Sequence, residues 1–268
     1  MNKKLSIFFL TVTYLFIVSC KNNNTNQSNN DQSFNSHLIM AVLYHQKAAE
    51  FKALSYQAYN IAKEKLDNDL NDKSLKGKRA VIVDIDETVL DNSPFEAKMI
   101  TKNAKFPDDW YEWTKLGKAK ALPGSVEFLN YAASKGVDVF YITNRTSEEV
   151  EVTIKNLKLL NFPMADTLHI LTKIDESSKE KRRKIIAETH RIVLLIGDNL
   201  TDFDGIFDKA SVERRDFAAD SLKNVFGSRF IVIPNAMYGD WEYALYGYNK
   251  SIDSKEKEKI RKSLLVDY

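Results

Sequence analysis

The chain has 268 residues, of which 44% are hydrophobic, 11% aromatic and 28% charged. That length allows one or two domains with ample apolar matter for a core, and the composition excludes a wholly disordered chain, a collagen-like chain and a multi-span membrane protein. The 39 Lys and Arg against 37 Asp and Glu leave a net charge of +2, too small a basic excess to favour the phosphate backbone of a nucleic acid.

Met1–Lys4 is short and basic, Leu5–Val18 is apolar, and Ser19-Cys20 closes the stretch. The apolar part is too short to span a bilayer comfortably, so residues 1–19 are expected to be a signal peptide. Without them the balance is 37 basic against 37 acidic residues. Cys20 is the sole cysteine, which excludes an intrachain disulfide. Ile17-Val18-Ser19-Cys20 resembles a bacterial lipobox, and that resemblance implies that Cys20 carries the lipid and becomes the mature N-terminus. Several buried acyl chains, at roughly 0.8 kcal/mol per CH₂, would anchor the protein stably. Residues 20–36 then form the lipidated end and a tether. Lys21–Ser36 holds seven Asn in sixteen residues and almost no apolar side chains, so it cannot offset its ordering entropy. A flexible chain of that length spans roughly 20–25 Å. The expected location is the bacterial cell envelope, lipid-anchored at the outer membrane.

From residue 37 to 268 the pattern is that of a folded domain. His37–Leu66 reads as one helix, with Tyr44, Ala48, Phe51, Ala58 and Ala62 along one face. His45, in its middle, is expected to be a packed or surface residue. Five short apolar runs read as strands: Ala80–Val83, Val137–Ile142, Leu168–Leu171, Ile192–Ile196 and Phe230–Ile233. Helical stretches at Ser125–Ser134, Ser147–Leu160 and Ser178–Thr189 separate them. That alternation predicts an α/β fold, a parallel sheet with helices on both faces. Phe95–Pro123 interrupts it and is read as a cap-like insertion beside the first strand's exit. Asn235–Tyr248 is rich in aromatics, and Ser251–Leu265 reads as a charged, solvent-facing helix.

Ligands of an open parallel sheet bind at the carboxyl ends of its strands. The residues there are Asp84-Ile85-Asp86 after the first strand and Thr143-Asn144-Arg145 after the second. Lys173 and Lys179 follow the third, and Asp198 and Asp202 follow the fourth. A single acid at a strand end is often only a turn former or helix cap. Acids, a hydroxyl and a lysine gathered at one sheet edge suit phosphoryl transfer, in which charge neutralisation and in-line positioning carry the reaction. Clustered carboxylates repel one another unless a cation is bound, so the set implies a metal, with Mg2+ the natural partner of hard oxygen ligands. One of the acids at 84 and 86 can attack phosphorus while the other serves as general acid and base.

Asp84-Ile85-Asp86-Glu87-Thr88-Val89-Leu90-Asp91-Asn92-Ser93-Pro94 resembles motif I of the haloacid dehalogenase (HAD) superfamily. In its extended form it is similar to the class C acid phosphatases, bacterial surface lipoproteins with four signature aspartates. Tyr141–Arg145, Gly197–Phe203 and Pro234–Gly239 continue the likeness over nearly the whole mature chain. The resemblance implies a HAD-like Rossmannoid sheet with a helical N-terminal extension. It implies that Asp84 is nucleophile and metal ligand, and that Asp86 is general acid/base and gives the metal its carbonyl. Thr143 would bind the phosphoryl group, Asp198 would ligate Mg2+, and Asp202 would hold the metal's waters. The family's third motif is Asp-Lys-Ser-x-Lys; here it is Asp175-Glu176-Ser177-Ser178-Lys179, with Glu176 reversing a charge. Lys179 is the leading candidate, with Lys173 and Lys181 as rivals.

Tyr238, Trp110 and Phe106 are core residues or, as the family implies, stack on the base of a nucleoside monophosphate. The expected activity is phosphomonoester hydrolysis, with nucleoside 5'-monophosphates as substrates. A phosphatase for sugar phosphates, a phosphotransferase and a non-enzymatic surface-binding lipoprotein are the alternatives, and a homodimer is a further partner considered.

Overall fold

The computed structural model describes residues 35–268. The expected signal peptide, Cys20 and all but the end of the expected tether lie outside the described residues. Asn35 and Ser36, assigned to that tether, already belong to the fold: the buried Asn35 donates through Nδ2 to the Met99 carbonyl at 3.3 Å.

The single helix expected over 37–66 is two, α1 (Ile39–Lys47) and α2 (Ala49–Asn71), because Ala48 is extended at φ −75°, ψ 128°. No Gly or Pro marks the break. It follows from packing: α1 lies on the inserted segment, whereas α2 crosses the sheet. On α2 the buried residues Phe51, Ser55, Ala58, Tyr59, Ala62 and Leu66 keep helical spacing and face the domain.

β1 (Arg79–Val83) leads into β2 (Leu90–Asp91), α3 (Ser93–Lys102), α4 (Trp110–Thr114) and β3 (Lys120–Ala121). β2 and β3 pair antiparallel, Leu90 with Ala121 and Asp91 with Lys120, and so pinch the insertion closed at its base. The insertion therefore starts at Ser93, two residues before the expected 95–123 span. Pro94 fits the first turn of α3, and Asp91 accepts from the Ser93 N–H at 2.9 Å.

The chain continues through α5 (Ser125–Ser134), β4 (Asp138–Thr146), α6 (Val150–Leu159), β5 (Ile170–Lys173), α7 (Glu180–Ala187) and β6 (Arg191–Gly197). It ends with α8 (Val212–Ser221), β7 (Phe230–Val232), α9 (Asp240–Leu245) and α10 (Ser254–Ser263). β4 runs past its expected end at Ile142. β5 starts later than Leu168, because the Asp166 carboxylate turns the chain by accepting from the N–H groups of Leu168 and His169.

The main sheet has the order β5-β4-β1-β6-β7, every pairing parallel. Strand side chains alternate between two cores. Val81, Val83, Val139, Tyr141, Leu194 and Ile196 join the core beneath α2 and α5. Ala80, Ile82, Ile142 and Leu195 join Ile186, Phe203 and Phe230 on the other face. Both faces are covered, as the near-continuous apolar runs predict, and the polar exits of β1, β4 and β6 come side by side.

Candidate active site

The sharp exit of β1 builds the site. The Asp84 N–H continues the sheet pairing by donating to the Ile196 carbonyl at 2.9 Å. Next, the Ile85 carbonyl accepts from the N–H groups of Val89 and Leu90, which closes a tight loop. Glu87 sits in the left-handed region at φ 57°. α2 braces this loop from outside, since Tyr59 donates its hydroxyl to the Thr88 carbonyl at 2.8 Å.

Asp84, Asp198 and Asp202 each offer a carboxylate oxygen within 4.8 Å of the other two. Lys179 is buried between them; its ammonium contacts Asp84 and lies 2.7 Å from Asp202 Oδ1. The Thr88 hydroxyl lies 3.2 Å from Asp198 Oδ1 and 3.3 Å from Asp84 Oδ2, able to donate to either. Asn235 Nδ2 donates to Asp198 Oδ2 at 2.8 Å, and the Asn199 N–H to Asp202 Oδ2 at 3.0 Å.

Burial pushes the Asp84 carboxyl up to about 7; Lys179 pulls it down, and Asp202 and Asp86 push it further up. Asp198 is raised well above the carboxylate range by burial and then by Asp202 and Asp84. For Lys179 burial favours the neutral amine, but Asp202 and Asp84 outweigh it and hold the ammonium above its ordinary value. Three acids against one ammonium leave excess negative charge on hard oxygen donors. Such a donor set fits a divalent cation.

Gly197 ends β6 directly beneath the Asp202 side chain. A Cβ there would stand 2.4 Å from Asp202 Oδ2 and 2.5 Å from its Cβ. The requirement is for space, since both atoms belong to a side chain pinned by Asn199 and Lys179. Gly197→Ala is expected to destabilise the fold by about 1–3 kcal/mol and to displace Asp202. Thermal unfolding with parallel turnover assays measures it; an unchanged midpoint with unchanged turnover would contradict the packing described.

The Asp86 carboxylate stands outside this three-acid cluster. The chain has left the strand by residue 86, and Arg145 takes the side chain with Nη2–Oδ1 at 2.7 Å and Nε–Oδ2 at 3.2 Å. Asn92 Nδ2 donates to the same carboxylate at 2.8 Å. Asp86 is thus held beside the acid cluster, not inside it.

Arg145 stands outside the expected catalytic set. It is buried, bonds Thr153 Oγ1 at 3.0 Å, and places its guanidinium 5.8 Å from the centre of the Trp110 ring. The signal was present: on an extended strand, residues 143 and 145 share a side. Thr143 is fully buried, and its hydroxyl oxygen accepts from the Arg145 N–H at 3.1 Å. Arg182 Nη1 bonds the Thr143 carbonyl at 2.6 Å.

The lysine rivals separate clearly. Lys181 is exposed and pairs with Glu176 at 2.9 Å, so the charge reversal at Glu176 is answered on the surface. Lys173 is half-buried at the end of β5. Lys179 alone of the candidates contacts Asp84 and Asp202.

The aromatics hang on the same frame. Tyr238 donates its hydroxyl to the Glu87 carboxylate, and Trp113 Nε1 donates to Asn92 Oδ1 at 2.8 Å. Trp110 donates to Glu149 at 3.0 Å and meets Phe106 edge-on at 5.7 Å. Phe106 is 58% exposed. Glu87 is another residue that motif reading left without a role; it is fully buried, and burial raises its carboxyl well above the ordinary range.

A family model described as HAD superfamily, subfamily IIIB (acid phosphatase), matches residues 10–241. The chain belongs to that family of acid phosphatases. Solved structures agree. A class C acid phosphatase from Bacillus anthracis is 46% identical, with a TM-score of 0.85 over 88% of this chain and 99% of that one. A second structure of the Bacillus anthracis class C acid phosphatase, with tungstate bound, superposes with a TM-score of 0.86 at the same identity. A stem 28 kDa glycoprotein of Glycine max is 29% identical over 168 residues, covering 60% of this chain and 63% of that one. Acid phosphatase 1 of Solanum lycopersicum is 31% identical over 137 residues, covering 48% of this chain and 53% of that one. The chain thus spans somewhat over half the length of these plant relatives. The parallel sheet and its helices match the expected HAD-like α/β fold.

Proposed function

We propose that the chain hydrolyses phosphomonoesters, nucleoside 5'-monophosphates foremost, through an aspartyl-phosphate intermediate and with Mg2+. The observation that carries this reading is the gathering of Asp84, Asp198, Asp202 and Lys179 at the carboxyl edge of β1 and β6. The tungstate in the Bacillus anthracis relative supports it, since tungstate is a tetrahedral oxyanion of phosphate's shape.

Asp84 attacks phosphorus, a new P–O bond forms, and the ester P–O bond breaks. Asp86 donates a proton to the departing alkoxide, then takes one from the water that releases phosphate and restores Asp84. Arg145 and Asn92 aim Asp86 for both transfers. Thr143 and Lys179 receive the phosphoryl oxygens. Asp84, Asp198 and the Asp86 carbonyl, with Asp202 beside them, would hold Mg2+, which would supply charge neutralisation at the transferring group.

Tyr238, with Trp110 and Phe106, offers ring faces for a nucleobase. Lipidation at Cys20 would keep the enzyme at the outer membrane; among the described residues no helix is long and apolar enough to cross a membrane. An enzyme placed there would convert a charged nucleotide into a nucleoside and phosphate.

The test is phosphate release from nucleoside monophosphates and sugar phosphates, with and without a chelator. Chelation should abolish turnover and Mg2+ restore it. Base stacking contributes on the order of 1–3 kcal/mol, so Tyr238→Ala should raise KM for nucleotides by about tenfold and leave sugar phosphates unaffected. Tyr238→Phe, which keeps the ring, should retain nucleotide binding. Equal losses on both substrate classes would refute the stacking role, and phosphate transfer to an added alcohol would reveal a phosphotransferase.

A further inference from the structure

His45 is buried on α1, and its Nε2 makes no hydrogen bond although the side chain is only 3% exposed. Asp91 Oδ1 stands 3.3 Å from that nitrogen, an ion-pair contact when the imidazole is protonated. The imidazole leans on Phe51 with ring centres 3.9 Å apart, which fixes its plane. Glu87 beside it is fully buried. Donor atoms of His45, Glu87 and Asp91 all lie within 4.8 Å of one another.

We propose that His45, Glu87 and Asp91 form a second cation site, for a divalent transition-metal ion such as Zn2+, distinct from the phosphatase centre. The donor set argues for that class of ion. Neutral imidazole suits Zn2+, Fe2+ or Ni2+, whereas Mg2+ prefers oxygen ligands. Two carboxylates balance the charge of a dication. The carboxylates are aimed by their own hydrogen bonds, as metal ligands are. Glu87 Oε1 accepts from the Asn92 N–H at 2.7 Å, Oε2 accepts from Tyr238 and from Asn92 Nδ2 at 3.3 Å, and Asp91 Oδ1 accepts from the Ser93 N–H at 2.9 Å. Oxygen lone pairs remain for an ion. The Asp91 side chain is 25% exposed and gives the ion a route from solvent. A bound ion cross-links α1 to the loop after β1 and to the start of the insertion. The site uses none of the three acids clustered at the phosphatase centre, although Asn92 and Tyr238 border both.

The full chain is stripped with a chelator and loaded with Co2+ against excess Mg2+, which competes at the oxygen-only centre. One Co2+ per chain should resist that exchange. It should raise the thermal midpoint, and both effects should disappear in His45→Gln, with Co2+ affinity weakened at least about tenfold. Anomalous scattering from a Co2+-loaded wild-type crystal should give a peak among the three side chains, which answers the question even where His45→Gln does not fold. Co2+ wholly displaced by Mg2+, a His45→Gln protein that retains the ion, or a peak only at Asp84, Asp198 and Asp202 would each overturn the site.

Discussion

Asp84→Asn should lower phosphate release by at least about 10⁴-fold with the fold intact. The amide keeps the shape of the carboxylate but has neither its charge nor its nucleophilicity, so the first P–O bond does not form. The same change removes a metal ligand. It should not unfold the protein. Burial pushes the Asp84 carboxyl up, Lys179 pulls it down, Asp202 and Asp86 push it up again, and the balance stands at about 7 against an ordinary 3.8. A neutral isostere gives up the Lys179 contact together with the burial and repulsion that outweigh it, and Lys179 keeps Asp202 as its partner, so the metal-free protein should stay folded. A phosphate-release assay with a thermal scan separates the outcomes. Turnover near the wild-type rate would eliminate the aspartyl-phosphate mechanism; collapse of the fold would leave Asp84→Glu, with its displaced carboxylate, as the variant to assay.

Much of this centre is legible in the sequence because parallel strands buried on both faces must read as apolar runs, and polar residues at their ends then stand out. Val81, Val83, Leu194 and Ile196 mark β1 and β6, and the acids that follow them are the ones brought together. Roles that arise only from tertiary packing stay hidden. Thr143-Asn144-Arg145 reads as an exit loop because it is polar, yet β4 continues through it, since Arg145 is buried and paid for by Asp86 and Thr153. Ala48 is a good helix former and still interrupts the N-terminal helix, because α1 and α2 have different partners. Glu87 looks like one more acid of motif I. Only its left-handed backbone and the distant Tyr238 show that its carboxylate is taken by Tyr238 and by Asn92, which also holds Asp86.

Lys179→Met should cut turnover by about 10²–10³-fold, the usual cost of losing one preorganised charge at a transferring group. Its effect on stability should be larger still and should depend on pH. The methionine fills a similar volume but leaves the buried carboxylates of Asp84 and Asp202 without their cation. Breaking a buried pair in this way costs about 3–5 kcal/mol. The sign follows from linkage. In the metal-free fold Asp84 titrates at about 7, above its ordinary 3.8. The folded chain therefore binds that proton more tightly than the unfolded chain does. The stability it contributes is full below about pH 4 and is lost as pH rises through 7. Lys179 is the largest influence holding the Asp84 value down, so the variant should bind the proton more tightly still and lose more stability between pH 5 and pH 8. Mg2+ should restore part of the loss at pH 8 and little at pH 5, where protonated acids are poor ligands. Urea unfolding at both pH values, with and without Mg2+, measures the four corners. A metal-free variant as stable at pH 8 as at pH 5 would mean that Lys179 does not neutralise these carboxylates, and its place between Asp84 and Asp202 would then have to be explained by packing alone.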